Sequence, residues 1–301
     1  MNIQAGPPPA NNSSNSIPSG YCLARLPDGG YSIRDLEVGE TFHPVIGPEA
    51  EAQALYVSQL GIPSRIQGAN TEFVVWDIGL GAAANAIAVI RAARNCSVTL
   101  RILSFDRTLE PLKFGIENAD RLGYFHGLEP HIHALIKERR ASFIHGKLSV
   151  EWEALLGDFP SLLQRDAAEF WPKPHAILHD AYSPMRNPAM WTLPLFERIN
   201  RLLSPERGCA LATYSRSTML RVTLLCAGFF VGAGHATGQK EETTIAANTP
   251  ALVAAPLGRR WLMRARRSNS AQPLEKPVYR QQRLSEEMWD KLLRHPQFQG
   301  L

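Results

Sequence analysis

The chain has 301 residues, of which 45% are hydrophobic and 20% are charged, and its formal net charge is +4. This composition is that of an ordinary globular protein with a sizeable core, and it excludes a fibrous or fully disordered chain. The modest net charge by itself excludes no class of partner.

The N-terminal stretch is rich in Pro, Asn and Ser, so residues 1–20 are expected to form a disordered tail. This tail lacks the basic start and apolar core of a signal peptide, and no stretch reaches the ~20 apolar residues of a membrane span. Cys22, Cys96, Cys209 and Cys226 lie far apart, without metal-ligand spacing. The sequence therefore predicts a cytoplasmic protein with reduced thiols, no membrane segment and no metal site.

Residues 21–70 are predicted to form an N-terminal hairpin and a helix. Two β-prone runs flank Asp28-Gly29-Gly30, which is a strong turn signal. The next segment, "GPEAEAQALYVSQLGI", begins with a proline and early glutamates and reaches a stop at Gly61. These boundaries are typical of a helix.

From residue 73 onward, buried strands alternate with helices, and residues 149–169 are predicted to be helical. Strand–helix alternation implies a parallel sheet with right-handed crossovers. The final two strands, in "FFVGAGHATGQKEETTIAA", have no helix between them and are therefore antiparallel. The five earlier predicted strands are "FVVWDIG", "SVTLRILSFD", "ASFIHG", "HAILHD" and "GCALATY".

This outline resembles the class I S-adenosyl-L-methionine-dependent methyltransferases. The predicted fold class is therefore α/β and Rossmann-like, with a seven-stranded, mostly parallel sheet and helices on both faces. We assign this methyltransferase domain to residues 71–268 and a C-terminal linker and helix to residues 269–301.

The first strand-to-helix turn, "WDIGLGAAAN", carries Asp77, Gly79 and Gly81. Glycines in such a turn allow the backbone to approach a ligand closely. A dinucleotide-binding loop would have a third glycine at the place of Ala84, and Asp77 is unfavourable for a pyrophosphate. The sulfonium and amino group of S-adenosyl-L-methionine suit Asp77 better; the alternative is a tight turn without a ligand.

Asp106 ends the second predicted strand. An acid at this place can accept hydrogen bonds from both ribose hydroxyls of a nucleoside cofactor, whereas the alternative is an exposed strand-end carboxylate. Since the glycine turn and Asp106 fall on adjacent strand ends, together they predict a nucleoside cofactor.

Asp180 ends the fourth predicted strand and is followed by Tyr182 and Trp191. A carboxylate at the end of a hydrophobic strand is costly unless it has a role. An acceptor there can orient a primary amine and favour loss of its proton before methyl transfer. Tyr182 and Trp191 could stack on a base. The alternative is a capping Asp180 with both aromatics in the core.

The stretch "DAYSPMRNPAMWTLPLF" resembles the "DxFxPxKNPxMW" signature of the MnmC family, methyltransferases that complete 5-methylaminomethyl-2-thiouridine at the tRNA wobble position. Four further segments resemble the family: "GETFHPVIGPEAEAQALYV", "DIGLGAAANAI", "LATYS" with "MLRVTLLCAGF", and "TGQKEETTIA". The resemblance spans roughly residues 20–265. It implies S-adenosyl-L-methionine as cofactor, tRNA as partner and the aminomethyl group on uridine 34 as substrate.

The resemblance implicates Asp180 in catalysis and adds Asn85 to the cofactor-binding residues Asp77, Gly79, Gly81 and Asp106. His43 is expected to contact the substrate. The alternative is that it has a hydrogen-bonding role at the entry of a helix. The expected substrate-binding residues are His43, Tyr182, Arg186, Asn187, Trp191, Lys240, Arg259, Arg260 and Arg264.

Longer family members carry an FAD-dependent oxidase that prepares the amine. No comparable length follows here, so the chain resembles the free-standing form, and a separate enzyme is expected to install the aminomethyl group. Three departures from the family pattern stand out. Arg186 replaces a lysine, Ala83-Ala84 replaces Gly-Leu, and Lys147 replaces the acid of a Gly-Asp pair that follows the third strand and suits the adenine amino group.

Five arginines surround Trp261 in "LGRRWLMRARR", and a cluster of this kind is an electrostatic footprint for phosphates. The alternative is a solvated charge run whose Trp261 fills the core. Three functions remain open from the sequence. The leading one is methylation of tRNA aminomethyluridine, and the others are methylation of another amine or nucleic acid and an inactive binding module. The sequence does not indicate an oligomeric state.

Overall fold

The computed structural model describes residues 20–237 and 241–299. The tail predicted for residues 1–20 lies outside the described residues except for Gly20, and so does Lys240.

The N-terminal hairpin is confirmed: β1 (Tyr21–Arg25) pairs antiparallel with β2 (Tyr31–Asp35). The helix that follows is also confirmed, but it widens in its middle. It begins as α1 (Pro48–Ala52) and continues as a π-helical segment over Gln53–Ser58. Gly61 then takes a left-handed φ of 59° and separates it from the next helix.

The central sheet has eight strands in the order β5-β6-β4-β3-β7-β8-β10-β9. The five central strands, from β6 to β8, run parallel, and β5 and β10 pair antiparallel with their neighbours. The predicted antiparallel final pair is confirmed. The strands are β3 (Glu72–Ile78), β4 (Thr99–Asp106), β5 (Arg140–His145), β6 (Leu148–Leu156), β7 (Ala176–His179), β8 (Ala210–Thr213), β9 (Phe230–Gly234) and β10 (Thr243–Ala247).

Two expectations about this sheet are wrong. Residues 148–156, expected to be mainly helical, form β6, and the predicted third strand is instead the antiparallel edge strand β5. The physical reason is visible in "LSVEWEALL", where buried Leu148, Val150 and Trp152 alternate with polar side chains. A period of two indicates a strand, and it adds an eighth strand to the expected seven.

Helices cover both faces of the sheet, as expected. One core contains Leu55, Ile87 and Ile132, and the other contains Phe196 and Leu220. The remaining helices are α2 (Ile62–Gln67), α3 (Ala84–Ala93), α4 (Glu110–Glu117), α5 (Ala119–Leu122), α6 (Glu129–Glu138), α7 (Phe159–Leu163), α8 (Leu193–Leu202), α9 (Thr218–Cys226), α10 (Arg259–Arg267) and α11 (Glu286–Leu293).

The C-terminal helix packs against the second core. Ser285 caps it by accepting a hydrogen bond from the Met288 N–H at 3.3 Å, and Met288 and Leu292 are buried in that core. None of the helices in the described part of the chain is both long enough and apolar enough to cross a lipid bilayer.

The carboxyl ends of the parallel strands meet at one edge of the sheet. In folds of this kind, ligands bind in the crevice outside that edge. The strand ends there carry Gly79 after β3, Asp106 on β4, Asp158 shortly after β6 and Asp180 after β7. The fold therefore gathers four predicted or candidate site residues from distant parts of the chain.

Candidate active site

A cleft of about 600 Å³ opens at this edge and is partly roofed by the N-terminal hairpin and the segment that follows it. Within the described residues, many of the expected site residues line it together. They are His43, Gly79, Gly81, Asn85, Asp106, Asp180, Tyr182, Arg186 and Asn187.

The glycine turn has a backbone that only glycine tolerates without strain. Gly79 has a φ of 95° and Gly81 a φ of 51°. A Cβ on Gly79 would lie 2.5 Å from the carbonyl oxygen of Asp180, so the turn packs directly against the end of β7. Ala83 is also left-handed, with a φ of 64°, at the place where the family pattern has glycine. The chain therefore tolerates strain at that position.

Asp106 holds the glycine turn in place. Its Oδ2 accepts a hydrogen bond from the Gly81 N–H at 2.9 Å, and its Oδ1 accepts one from the Arg107 N–H at 2.7 Å. Burial raises the pKa of the Asp106 carboxyl, and these backbone donors oppose the rise. Asp106 is thus at once a support for the turn and an acceptor facing the cleft.

Asp77 differs from its neighbours because its side chain is fully buried and does not line the cleft. Its Oδ2 accepts a 2.7 Å hydrogen bond from the Ser104 hydroxyl, which in turn accepts one from the Trp152 indole at 2.9 Å. Its Oδ1 has no hydrogen-bond partner. Burial raises the pKa of Asp77 to about 7. The structure therefore places Asp77 beneath the glycine turn.

The family pattern has a Gly-Asp pair after the third parallel strand, and the acid at that place in this structure is Asp158. Because β6 ends at Leu156, the residues that follow it are Gly157 and Asp158, and both line the cleft. Lys147 lies at the start of β6, at the opposite edge of the sheet. The apparent departure at Lys147 came from the wrong strand assignment. The alternation in β6 was the sequence signal for Asp158, and we missed it.

Asp180 lies between the glycine turn and the N-terminal segment. Its Oδ2 accepts a 2.8 Å hydrogen bond from the Asn85 amide, and His43 Nε2 lies 3.7 Å from the same oxygen. The side chain is 18% exposed, and that exposure is to the cleft. Asp180 is therefore a carboxylate with a fixed orientation and room for a substrate group.

The two aromatics after Asp180 have different positions. Tyr182 lines the cleft, donates a 2.6 Å hydrogen bond to Asp35 Oδ2 and pairs with the Phe42 ring at 5.9 Å. Trp191 is fully buried, and its indole donates to the Tyr182 carbonyl at 2.8 Å. The expectation that Trp191 contacts the substrate is therefore wrong. Its large apolar ring is buried in the core, where it supports the Asp180 loop.

Sequence reasoning also missed how the N-terminal segment is held over the cleft. Asp35 accepts the Tyr182 hydroxyl hydrogen bond, and Glu40 accepts hydrogen bonds from the N–H and hydroxyl of Ser183. Nothing in the sequence pairs these residues, since 147 and 143 positions separate them. Carboxylates outnumber the arginines in the lining of the cleft, which favours a cationic ligand. They are Asp35, Glu37, Glu40, Glu51, Asp106, Asp158 and Asp180.

The expected phosphate-binding arginines lie outside the cleft. Arg259, Arg260 and Arg264 are exposed on α10, whose Trp261 is buried in the core. Burial lowers the pKa of Arg221, in the first turn of α9, and the charge of Arg264 adds to that effect.

The residues present fit a nucleoside cofactor that carries a cationic centre. Glycines 79 and 81 leave the backbone open to close approach, and Asp106 and Asp158 supply acceptors on adjacent strand ends. Asn85 lines the cleft with a buried Oδ1 that has no hydrogen-bond partner. In the described residues, no group of three His, Cys, Asp or Glu side chains is arranged to hold a metal ion.

Comparison with known proteins agrees with this geometry. Residues 132–249 match a family described as S-adenosyl-L-methionine-dependent methyltransferase. The crystal structure of MnmC2 from Aquifex aeolicus superposes with a TM-score of 0.66 at 25% identity, covering 91% of this chain and 85% of that one.

Among curated proteins, the chain is similar to the tRNA 5-methylaminomethyl-2-thiouridine biosynthesis bifunctional protein MnmC. The Methylibium petroleiphilum protein is 28% identical over 73% of this chain, and the Aeromonas salmonicida protein is 26% identical over 60%. The chain spans about a third of the length of these relatives, 33% and 28% respectively. It also matches 60% of an uncharacterised Methanocaldococcus jannaschii protein at 24% identity. The family match, the relatives and the fold together support a class I methyltransferase domain that is similar to MnmC and uses S-adenosyl-L-methionine as its cofactor.

Proposed function

We propose that this protein methylates the aminomethyl group of 5-aminomethyl-2-thiouridine, or of its 2-oxo counterpart, at the wobble position of tRNA. The observation that carries the proposal is the placement of Asp180. Its carboxylate faces the cleft, is oriented by Asn85 and lies against the glycine turn. The MnmC relatives bear the name of this tRNA modification.

The cofactor would be held by the strand ends. Asp106 would accept the ribose hydroxyls, Asp158 would accept the adenine amino group, and Gly79 and Gly81 would allow the methionine part to approach the turn. When bound, the cofactor supplies an already activated methyl group. The protein therefore has to orient the acceptor, exclude water and remove one proton.

Asp180 would bind the amine. An alkylammonium group has no lone pair, so it has to lose a proton before its nitrogen can form a bond to carbon. An acidic cleft attracts the ammonium form, and a carboxylate in contact with it can take the proton. Asn85 would keep the second side of the carboxylate oriented while this happens.

The RNA would lie across the cleft mouth and the exposed arginines. Arg186 and Asn187 line the mouth, next to the Asp180 loop. Arg260 and Arg264 lie four positions apart on α10 and therefore share a face of that helix. Arginines bind phosphate through a fixed fork of N–H donors. Arg259 belongs to the same proposed surface, and Lys240 remains part of the proposal although it lies outside the described residues.

We extend the proposal to the setting of the reaction. Residues 71–268 would form the methyltransferase unit, with 21–70 as its roof and 269–301 as a C-terminal linker and helix. The substrate amine has to be made before it is methylated, so a separate enzyme that installs or exposes the aminomethyl group would precede this one. The protein would act in the cytoplasm.

The test is methyl transfer from radiolabelled S-adenosyl-L-methionine to bulk tRNA from a strain that lacks the gene. Mass spectrometry of the digested tRNA then identifies the labelled nucleoside. Label in the 5-methylaminomethyluridine nucleosides is the expected result. Label in a different nucleoside, or none from folded, cofactor-binding protein, would contradict the proposed substrate.

Asp180→Asn tests the site itself. We expect the single-turnover rate at pH 7 to fall about 100-fold, because the amide cannot take the proton, with cofactor affinity little changed. Asp120→Asn, an exposed acid on α5, is the matched control and should keep the wild-type rate. Full activity of folded Asp180→Asn protein would refute the assigned role.

A further inference from the structure

His43 lies between two acids at the inner end of the cleft. Its Nε2 is 3.7 Å from Asp180 Oδ2, and its Nδ1 is 3.8 Å from Glu51 Oε2. The imidazole is 10% exposed, and the Glu51 side chain is 9% exposed. The three side chains form a row that starts at the proposed amine site and runs into the protein.

The backbone holds His43 in this row at an energetic cost. His43 has a φ of 46°, one of three positive φ values at non-glycine residues in the described chain. Such a conformation costs on the order of 1 kcal/mol and concentrates at functional sites. Glu51 lies in α1, two residues before Gln53, where the π-helical segment begins, and its N–H donates a hydrogen bond to the Gly47 carbonyl at 3.0 Å. The carboxylate therefore approaches His43 from a fixed helix.

The two acids face different nitrogens of the imidazole: Glu51 faces Nδ1 and Asp180 faces Nε2. A proton relay from Asp180 requires the neutral ring to carry its hydrogen on Nδ1, towards Glu51, so that the Nε2 lone pair is directed at Asp180. Both gaps exceed a direct hydrogen bond by about 1 Å, and catalytic hydrogen bonds in ligand-free enzymes commonly tighten when substrate binds. In that tautomer, the ring beside Asp180 is a base that can accept its proton.

We propose that His43 is the final acceptor of the proton released by the substrate ammonium, that Asp180 passes it on, and that Glu51 is the residue that positions His43. The proposal rests on the proposed function, because it requires a cationic amine as methyl acceptor. It assigns a role to Glu51 and a specific chemical role to His43.

The proton moves in two steps before the methyl group is transferred. An N–H bond of the ammonium breaks and an O–H bond forms on Asp180. That O–H bond breaks as an Nε2–H bond forms on His43, so the imidazolium lies between two carboxylates. The neutral amine nitrogen would then accept the methyl group that the bound cofactor supplies. The electron pair of the carbon–sulfur bond would stay on sulfur, and the product nitrogen would carry the positive charge. The imidazolium finally returns its proton to solvent.

Other titratable groups surround this row. Asp180 and Glu51 lie within electrostatic range of Tyr56 and Tyr214, and Asp77 and Glu40 also act on these tyrosines. Burial raises the pKa of Tyr56 and of Tyr214 well above the usual range, so both phenols stay neutral. Burial raises the pKa of Asp77 to about 7. Asp77 and Glu40 are present in wild type and in the variants. The ratio of the variant methylation rate to the wild-type methylation rate at each pH therefore removes their contribution.

The first experiment measures single-turnover methylation of aminomethyluridine tRNA between pH 6 and 10 at saturating cofactor. We expect His43→Ala to be about 100-fold slower than wild type at pH 7 and within about 3-fold near pH 10, where an alkylamine loses its proton unaided. Added imidazole should restore part of the lost rate at pH 7. A loss that is the same at every pH and does not respond to imidazole would overturn the proposal.

Glu51→Gln should lower the pH 7 rate about 10-fold, and this loss should also shrink at high pH. Two exposed residues supply matched controls, Glu49→Gln on the same helix and His126→Ala on the surface, and both should retain the wild-type pH profile. A Glu51→Gln variant with an unchanged profile would remove Glu51 from the assignment.

The second experiment needs no substrate, so it separates this proposal from the proposed function. Nitrogen-15 NMR of the imidazoles in cofactor-free protein should show His43 with its hydrogen on Nδ1 in wild type and in Glu49→Gln. In Glu51→Gln that preference should be lost. If wild type methylates no aminomethyluridine, the proposed function fails; an unchanged tautomer in Glu51→Gln overturns the relay.

Discussion

Individual side chains in this site act in pairs that the sequence keeps far apart. Asp106 supports the glycine turn, Asn85 orients Asp180, and Ser104 holds Asp77. Asp77 is the costliest of these groups, because a fully buried carboxylate with one unpartnered oxygen resists ionisation. Its effect on stability should therefore depend on pH.

Asp77→Asn tests that cost. Because the folded-state pKa of Asp77 is raised to about 7, its contribution is most favourable below the unfolded pKa near 4 and is lost as the pH rises through 7. The melting temperature of wild type should fall between pH 5 and 8 relative to that of Asp77→Asn. Over this pH range, the difference in the free energy of unfolding between wild type and Asp77→Asn should change by a few kcal/mol, about 1.4 kcal/mol per pKa unit.

Asp120→Asn provides the comparison for that scan, since Asp120 is exposed and its replacement should leave the pH profile of wild type unchanged. Parallel profiles for wild type and Asp77→Asn would show that Asp77 ionises normally in the folded protein.

At the scale of elements, the turn between β3 and α3 determines the shape of the cofactor site. It is tight because Gly79 allows the backbone to contact the Asp180 carbonyl, which joins the ends of β3 and β7. The N-terminal hairpin then closes the cleft from above through Asp35 and Glu40. The site therefore lies where several elements meet, and a substitution in the turn should disturb the ends of both β3 and β7.

Gly79→Ala should weaken binding of S-adenosylhomocysteine at least 10-fold and lower the free energy of unfolding by more than about 2 kcal/mol. The added Cβ would meet the Asp180 carbonyl oxygen at 2.5 Å in addition to the strain of a φ of 95°. Calorimetric titration and urea unfolding measure the two effects.

Gly123→Ala separates strain from collision. Gly123 has a φ of 77° but no atom within 4 Å of an added Cβ, so this variant carries the backbone strain alone, about 1 kcal/mol. Equal losses of stability in the two variants would show that the close approach at Gly79 is unimportant.

For the whole molecule, charge is divided between two surfaces. Acids line the cleft, whereas exposed arginines lie outside it on α10. A polyanion with a cationic amine at one position matches both surfaces, since its phosphates suit the arginines and its amine suits the cleft. The net charge of +4 gives no hint of this separation.

The double variant Arg260→Ala, Arg264→Ala should weaken tRNA binding and make it less salt-sensitive. Each lost phosphate contact reduces the slope of log affinity against log salt by about 1, so we expect a reduction of about 2. Lys147→Ala, at the opposite edge of the sheet, should keep the wild-type slope. A double variant with the wild-type slope would place the RNA elsewhere.

The local sequence pattern by itself determined much of this protein. Apolar runs and turn residues predicted the hairpin, seven of the eight strands of the large sheet and the glycine turn, because burial and backbone conformation leave a direct mark on residue type. Resemblance to the MnmC family, carried by the segment that follows Asp180, predicted the cofactor before any contact was known.

Only the tertiary structure decided which residues work together. Because β5 is an antiparallel edge strand, the third parallel strand is β6, and Asp158 lies at the cleft where Lys147 was expected. Trp191 became core, and His43 and Glu51 came to face Asp180. Of these outcomes, only the strand β6 leaves a periodic trace in the chain, the alternation of its buried residues. The others depend on contacts between residues that can lie over 100 positions apart, and they leave no such trace because packing acts between elements that the sequence does not bring together.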